Sequence, residues 1–197
     1  MEMKKAIKLV WMVLFALPLI SLTSCGDDDD PVNVGGIEVS FKDYSYLIGK
    51  SRVEVQSDMN LTISNQDQFG IYYDAETVNE PHIGDVDVFF TVFQKDDNGN
   101  YILTEKASEI EVEVTGYTQA QIFDYLGEKY GKPSMNEYGR YTFEKGNLIV
   151  WFEWDEDDSI AEITYIDKKE WDKAYGTKGA TVDVKALMKA HKAELAK

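Results

Sequence analysis

Few side chains in this sequence stand where chemistry could be done. The two histidines, His82 and His191, have no His, Cys or carboxylate nearby at the spacing of a metal site or proton relay. No Gly-x-Ser-x-Gly, P-loop or dinucleotide-type glycine pattern occurs. Glu153, Asp155, Glu156, Asp157 and Asp158 are dense enough in oxygen to suggest calcium, but they lack the EF-hand alternation and its sixth-place glycine. The run from Gln94 to Gly99 opens on an amide and fails for the same reason. Both acidic runs read as solvated hairpin turns. A carboxylate pair for glycoside hydrolysis needs opposed positions in a cleft, which no spacing here supplies. The expectation is a protein without catalytic residues, metal or cofactor. Cys25 is the exception. It is the only cysteine, so neither a disulfide nor a CxxC site can use it, and its sulfur is free for modification.

The residues before Cys25 say which modification. Lys4, Lys5 and Lys8 form a positive stretch, and residues 9–20 are uncharged and almost wholly apolar. That run is shorter than the roughly 20 residues a membrane-spanning helix needs, and has the length of a signal-peptide core. Leu22-Thr23-Ser24-Cys25 resembles the lipobox of bacterial lipoproteins. The resemblance implies cleavage after Ser24 and diacylglycerol on the Cys25 thiol. Asp27 to Asp30 follow at once and stay extended and hydrated by mutual repulsion. The run reads as a solvated tether. It also resembles the acidic export signal of Bacteroidota lipoproteins, which implies an outer-membrane protein displayed on the cell surface; a periplasm-facing lipoprotein is the other reading.

Charge narrows the partners. Residues 1–24 hold three Lys and one Glu of the chain's 20 basic and 36 acidic residues, so the remainder carries 17 and 35, a net −18. Phosphate backbones repel such a chain, so nucleic acid is not expected as a partner. Anionic lipid attracts it little, which leaves the lipid on Cys25 as its link to a membrane.

A short internal repeat organises the rest. Gly49-Lys50-Ser51-Arg52-Val53-Glu54-Val55 aligns with Gly116-Tyr117-Thr118-Gln119-Ala120-Gln121-Ile122. Ser51-x-x-Glu54 and Thr118-x-x-Gln121 both fit a capping box, so each copy starts a helix after the same turn. The spacing predicts helices over 52–59 and 119–130, the second with Ile122, Phe123, Leu126 and Tyr130 on one stripe. Strands follow in each copy. Copy one has 86–93, the turn with Asn98-Gly99, and 101–114 interrupted near Ala107-Ser108. Copy two has 148–154, its acidic turn, and 160–166. The predicted class is α+β: two helix-plus-antiparallel-meander repeats forming a twisted sheet with helices on one face, plus a C-terminal helix. The expected divisions are a leader at 1–24, a lipidated tether at 25–36, repeats at 37–114 and 115–175, and the helix at 176–197. In that last stretch Val184, Leu187, Met188, His191 and Leu195 share a face.

The capped helix, Tyr130-Gly131-Lys132-Pro133, and the strand-turn-strand that follows resemble one unit of the β-lactamase-inhibitor-like fold. Small outer-membrane lipoproteins of the SmpA/OmlA type share that unit. Copy two carries the resemblance. Copy one lacks the Gly-x-Pro and has an apparent insertion at 76–84.

Leu148, Val150, Phe152 and Trp154 alternate onto the strand face that meets the helices, and Val86, Val88, Phe90 and Val92 do the same in copy one. Ile149, Trp151, Phe89 and Phe93 then lie on the other face, where a one-sided sheet should be polar. Either another part of the chain covers them or they form a binding face. The function expected is a non-catalytic lipoprotein that docks a protein partner through Phe89, Phe93, Ile149 and Trp151. A small-molecule or glycan-binding accessory of a nutrient-uptake system is the other reading.

Overall fold

The computed structural model describes residues 31–96, 98–135 and 140–175. Cys25, the leader and the C-terminal helix expected over 176–197 lie outside them. The chain folds as α+β around one eight-stranded antiparallel sheet.

A hairpin, β1 (Val32–Val34) and β2 (Ile37–Val39), comes first. Its turn is Gly35-Gly36, both at positive φ, 57° and 88°, which glycine adopts without strain. The tether expected to run to residue 36 therefore ends earlier: Val32 and Val34 already pack against the core. A 3-10 helix (Tyr44–Leu47) leads to α1 (Arg52–Met59). β3 (Asn65–Gln66), β4 (Gly70–Tyr73), the short α2 (Ala75–Val78) where the expected insertion begins, and β5 (Ile83–Phe89) follow. A two-stranded ribbon of β6 (Thr91–Lys95) and β7 (Tyr101–Leu103) separates β5 from β8 (Glu109–Val114). The second half is α3 (Gln119–Tyr130), β9 (Ser134–Met135), β10 (Tyr141–Lys145), β11 (Leu148–Asp155), β12 (Ile160–Asp167) and α4 (Lys168–Tyr175).

Strand order is β3-β4-β5-β8-β12-β11-β10-β9. Each half contributes four strands, and the last strand of one lies beside the last strand of the other. Both capping boxes form, Ser51 with Glu54 and Thr118 with Gln121, so α1 and α3 begin where their caps put them.

α1, α3 and the 3-10 helix cover one sheet face. Val55, Met59, Ile122, Tyr125, Leu126 and Tyr130 share a core with Val88, Ile110, Ile163, Val150, Phe152 and their neighbours. The alternation expected along β11 is met: Val150 and Phe152 are buried there, and Leu148 and Trp154 pack half-buried against the same core. The continuous strand expected over 86–93 is broken. β5 stops at Phe89, the chain bends at Phe90, and Phe90 turns into the core beneath the Arg52 guanidinium, 4.3 Å from its ring centre. Val92 therefore sits in the ribbon and not in the sheet.

Candidate functional site

The register fixes what the second sheet face presents. One row reads Phe89, Glu109, Ile166, Ile149 and Glu144 across β5, β8, β12, β11 and β10. The next reads Tyr72, Asp87, Glu111, Thr164, Trp151 and Thr142, beginning on β4. A third holds Glu113, Glu162 and Glu153. The structure thus brings Phe89, Ile149 and Trp151 to one face, as the alternation implied, but not as a docking surface. Phe89 is fully buried, and Ile149 and Trp151 are 6% and 5% exposed.

Their cover is α4, which the sequence did not announce. Trp171 sets its ring edge-on to Trp151 at 5.0 Å, and Tyr175 packs on Trp171 at 4.4 Å. Arg140 places its guanidinium 4.6 Å from the Trp151 ring centre while ion-pairing with Glu153. The expected contact residues are a second, smaller core, because apolar area on an otherwise carboxylate-bearing face is stabilised most by excluding water. Phe93 lies on β6, outside the main sheet, and its side chain is not among those described.

Covering that face creates a groove beside it. The ribbon is held at its root by side chains. Thr91 Oγ1 donates to the Ile102 carbonyl at 2.9 Å, Ser108 Oγ to the Thr91 carbonyl at 2.9 Å, and Tyr175 Oη to the Val92 carbonyl. At its tip Asp96 Oδ1 accepts from the backbone N–H of Asn98 and Asn100, both at 2.9 Å, which with positive-φ Gly99 closes the turn. Those donors, Asn100 first, hold the Asp96 carboxyl below its ordinary pKa. Between ribbon and α4 lies a cavity of about 480 Å³, lined by Val92, Ile102, Leu103, Ala107 and Ala174 with charged groups at its rim. Ile102 is 38% and Leu103 51% exposed. Among the described residues the strand neighbour of β7 is β6.

A second hollow, about 630 Å³, lies between the 3-10 helix and the β10–β11 turn and is lined by Lys42, Lys50, Lys145, Tyr46 and Asn147. Its cations are engaged already: Lys42 with Glu80 at 3.5 Å, Lys50 with Asp58, and Lys145 with the Lys129 carbonyl at 3.0 Å. The Lys129 whose carbonyl Lys145 meets belongs to a buried charge pair. Asp43 Oδ2 lies 2.8 Å from Lys129 Nζ and also accepts from the Tyr130 hydroxyl, while Oδ1 accepts from Ser45 N–H at 2.7 Å. Burial would raise the Asp43 pKa; the Lys129 charge and these hydrogen bonds outweigh it and hold it low. Burial pulls Lys129 down, and Asp43 more than restores it. Tyr130 is pushed far up by burial and then by the adjacent carboxylate. The pair joins the start of the 3-10 helix to the end of α3.

The remaining polar candidates have structural work. His82 Nδ1 lies 3.1 Å from the Thr115 carbonyl and its ring packs 4.4 Å from Tyr117, locking the turn into α3. In the acidic turn Asp155 Oδ1 accepts from Asp157 N–H at 2.9 Å, so that carboxylate is used in making the turn. Among the described residues no His, Cys, Asp and Glu group could hold a metal ion, and no helix is long and apolar enough to cross a membrane. No protein family, curated protein or solved structure matches this chain.

Proposed function

We propose that the chain is a lipid-anchored, non-catalytic binding module that takes a protein partner at the outer membrane, facing the cell exterior. The lipobox ending in Cys25 supplies the anchor, and the aspartate run behind it supplies the outward address. The observation that carries the binding role is the exposure of Ile102 and Leu103 on a two-stranded ribbon, above the groove between that ribbon and α4. An extended partner segment would add to β7 by main-chain hydrogen bonds and seat a side chain between ribbon and α4. This replaces the aromatic sheet face as the contact surface.

The test is a photo-crosslinking residue at Leu103 of the anchored protein in intact cells, with the same residue at exposed Glu156 as control. One discrete adduct at 103, absent at 156 and lost with Ile102→Asp, supports the reading. No adduct, or equal adducts at both positions, refutes it. Mass spectrometry of the mature product checks the diacylglycerol on Cys25 independently.

The lysine-lined hollow favours a second reading, an accessory protein that binds an anionic glycan or small molecule against Tyr46. It ranks second because its cations already have partners.

A further inference from the structure

The chain carries 20 basic residues against 36 acidic ones, yet the hollow between the 3-10 helix and the β10–β11 turn inverts that balance. Lys42, Lys50 and Lys145 line it, against a single lining carboxylate among the described residues, Asp58. Each ammonium stands over a tyrosine ring. Lys42 is 5.5 Å from the centre of Tyr44, Lys50 4.9 Å from that of Tyr46, and Lys145 5.8 Å from that of Tyr130. The Tyr44 and Tyr46 rings are stacked 6.3 Å apart, so the first two cations are carried on neighbouring rings. Lys42 and Lys50 are also half-buried. Attraction to the rings and burial of the stems restrict these long side chains before a ligand arrives, which lowers the ordering cost of binding.

The contacts these lysines make do not exhaust them. An ammonium has three N–H donors. Among the described residues Lys42 directs one to Glu80 at 3.5 Å, Lys50 one to Asp58, and Lys145 one to the Lys129 carbonyl at 3.0 Å. The first contact is long, the second is an ion pair with an exposed carboxylate, and the third is to a neutral group. Exposed ion pairs hold weakly and can be exchanged for a better anion. All three cations are lysines, point charges that suit carboxylate or phosphate oxygens alike. Tyr46, Ile48 and Leu148 supply carbon surface between them, and a hollow of about 630 Å³ has the size of a small-molecule site.

We infer that this hollow binds a small polyanion, one carrying two or more carboxylate or phosphate groups on a short frame, with Lys42, Lys50 and Lys145 taking the charged groups and Tyr46, Ile48 and Leu148 packing on the frame. The inference rests on the second reading above and gives its site a ligand class. Asp58 is then a resident competitor: its carboxylate holds Lys50 until an anion of the ligand takes its place. The rest of this acidic chain repels anions, so occupancy stops at one ligand per chain.

The test is calorimetric titration of the whole mature chain with citrate, inorganic pyrophosphate and acetate at matched ionic strength. Saturable binding of one citrate or one pyrophosphate per chain is expected, at least tenfold tighter than acetate, and the preferred polyanion tells carboxylate from phosphate. Lys50→Gln should weaken it at least tenfold. Lys169→Gln, which removes the same charge from an exposed site outside the hollow, should change it less than twofold. Asp58→Asn should tighten it at least threefold, a gain that a merely structural Lys50–Asp58 pair would not produce. Circular dichroism confirms that each variant is folded. No saturable binding of either polyanion overturns the inference, and so does binding indifferent to both Lys50→Gln and Asp58→Asn. Acetate bound as tightly as citrate would keep the hollow as a binding site and overturn the polyanion class. None of these outcomes depends on the groove at β7, which the crosslink at Leu103 tests.

Discussion

Replacing Asp43 by Asn should cost this fold about 4 kcal/mol, although the side chain keeps its shape. The new amide can still offer a carbonyl to Ser45 N–H, matching the 2.7 Å bond made by Oδ1. In place of Oδ2 it presents an NH2 group, where the Lys129 ammonium at 2.8 Å and the Tyr130 hydroxyl both donate. Two hydrogen bonds to a charged group, about 1.5–3 kcal/mol each, are lost. The Lys129 charge, 10% exposed, is left buried and uncompensated, and breaking such pairs costs about 3–5 kcal/mol. In urea, with a slope of about 2 kcal/mol/M, the midpoint should fall by about 2 M, and the melting temperature by about 8–16 °C. Lys129→Met should also destabilise, and the double variant should recover at least about 1.5 kcal/mol of the summed losses. pH supplies a further check. The folded Asp43 pKa is lowered, so its contribution is full above the unfolded value of about 3.9 and fades as pH falls through the folded value. Lys129 is raised, so its contribution is full below about 10.4 and fades as pH rises through its folded value. The gap between wild type and Asp43→Asn should thus be flat from about pH 5 to 9 and close in acid. A loss under about 1 kcal/mol, or additive single and double variants, would refute the account of this pair.

Three further outcomes are expected. Trp171→Ala should destabilise by about 3–5 kcal/mol and uncover Ile149 and Trp151, seen as new binding of a hydrophobic dye and loss of near-ultraviolet circular dichroism. Ser51→Ala and Thr118→Ala should each cost about 1 kcal/mol in denaturant titrations, and their sum when combined, because each cap serves its own helix. Gly116→Ala should cost more than 1 kcal/mol by the same measurement: the residue sits at φ +81°, and an added Cβ would lie 2.6 Å from His82 Nδ1.

Local signals in the sequence located the two repeat helices because each carries its own start. Ser51 and Thr118 mark the caps, Gly131 and Pro133 close the second helix, and α1 and α3 run over the expected residues. Strand alternation placed Val150 and Phe152 correctly for the same reason: period two is a property of the strand alone. What escaped was decided at a distance. Tyr125 is buried on α3 because Phe41 meets its ring at 4.4 Å, a contact across most of the fold. Phe90 lies in a run with no Gly or Pro to betray a bend, and it leaves the strand to meet Arg52. Residues 168–175 are mostly charged, and only Trp171 and Tyr175, one turn apart, mark the side that packs. Sequence could show that Ile149 and Trp151 needed a cover but not that this short helix was it. The groove at β7 was invisible because it exists only once ribbon and α4 stand side by side.

The central seam also orders events in time. β8 and β12, the pair that welds the two halves, bring residues 109–114 against 160–167, so the first half gains its second neighbour only after most of the second has been made. Until then β8 has β5 on one side and an open margin on the other. Contacts this remote along the chain form late and slowly. The two halves therefore join into their common sheet last.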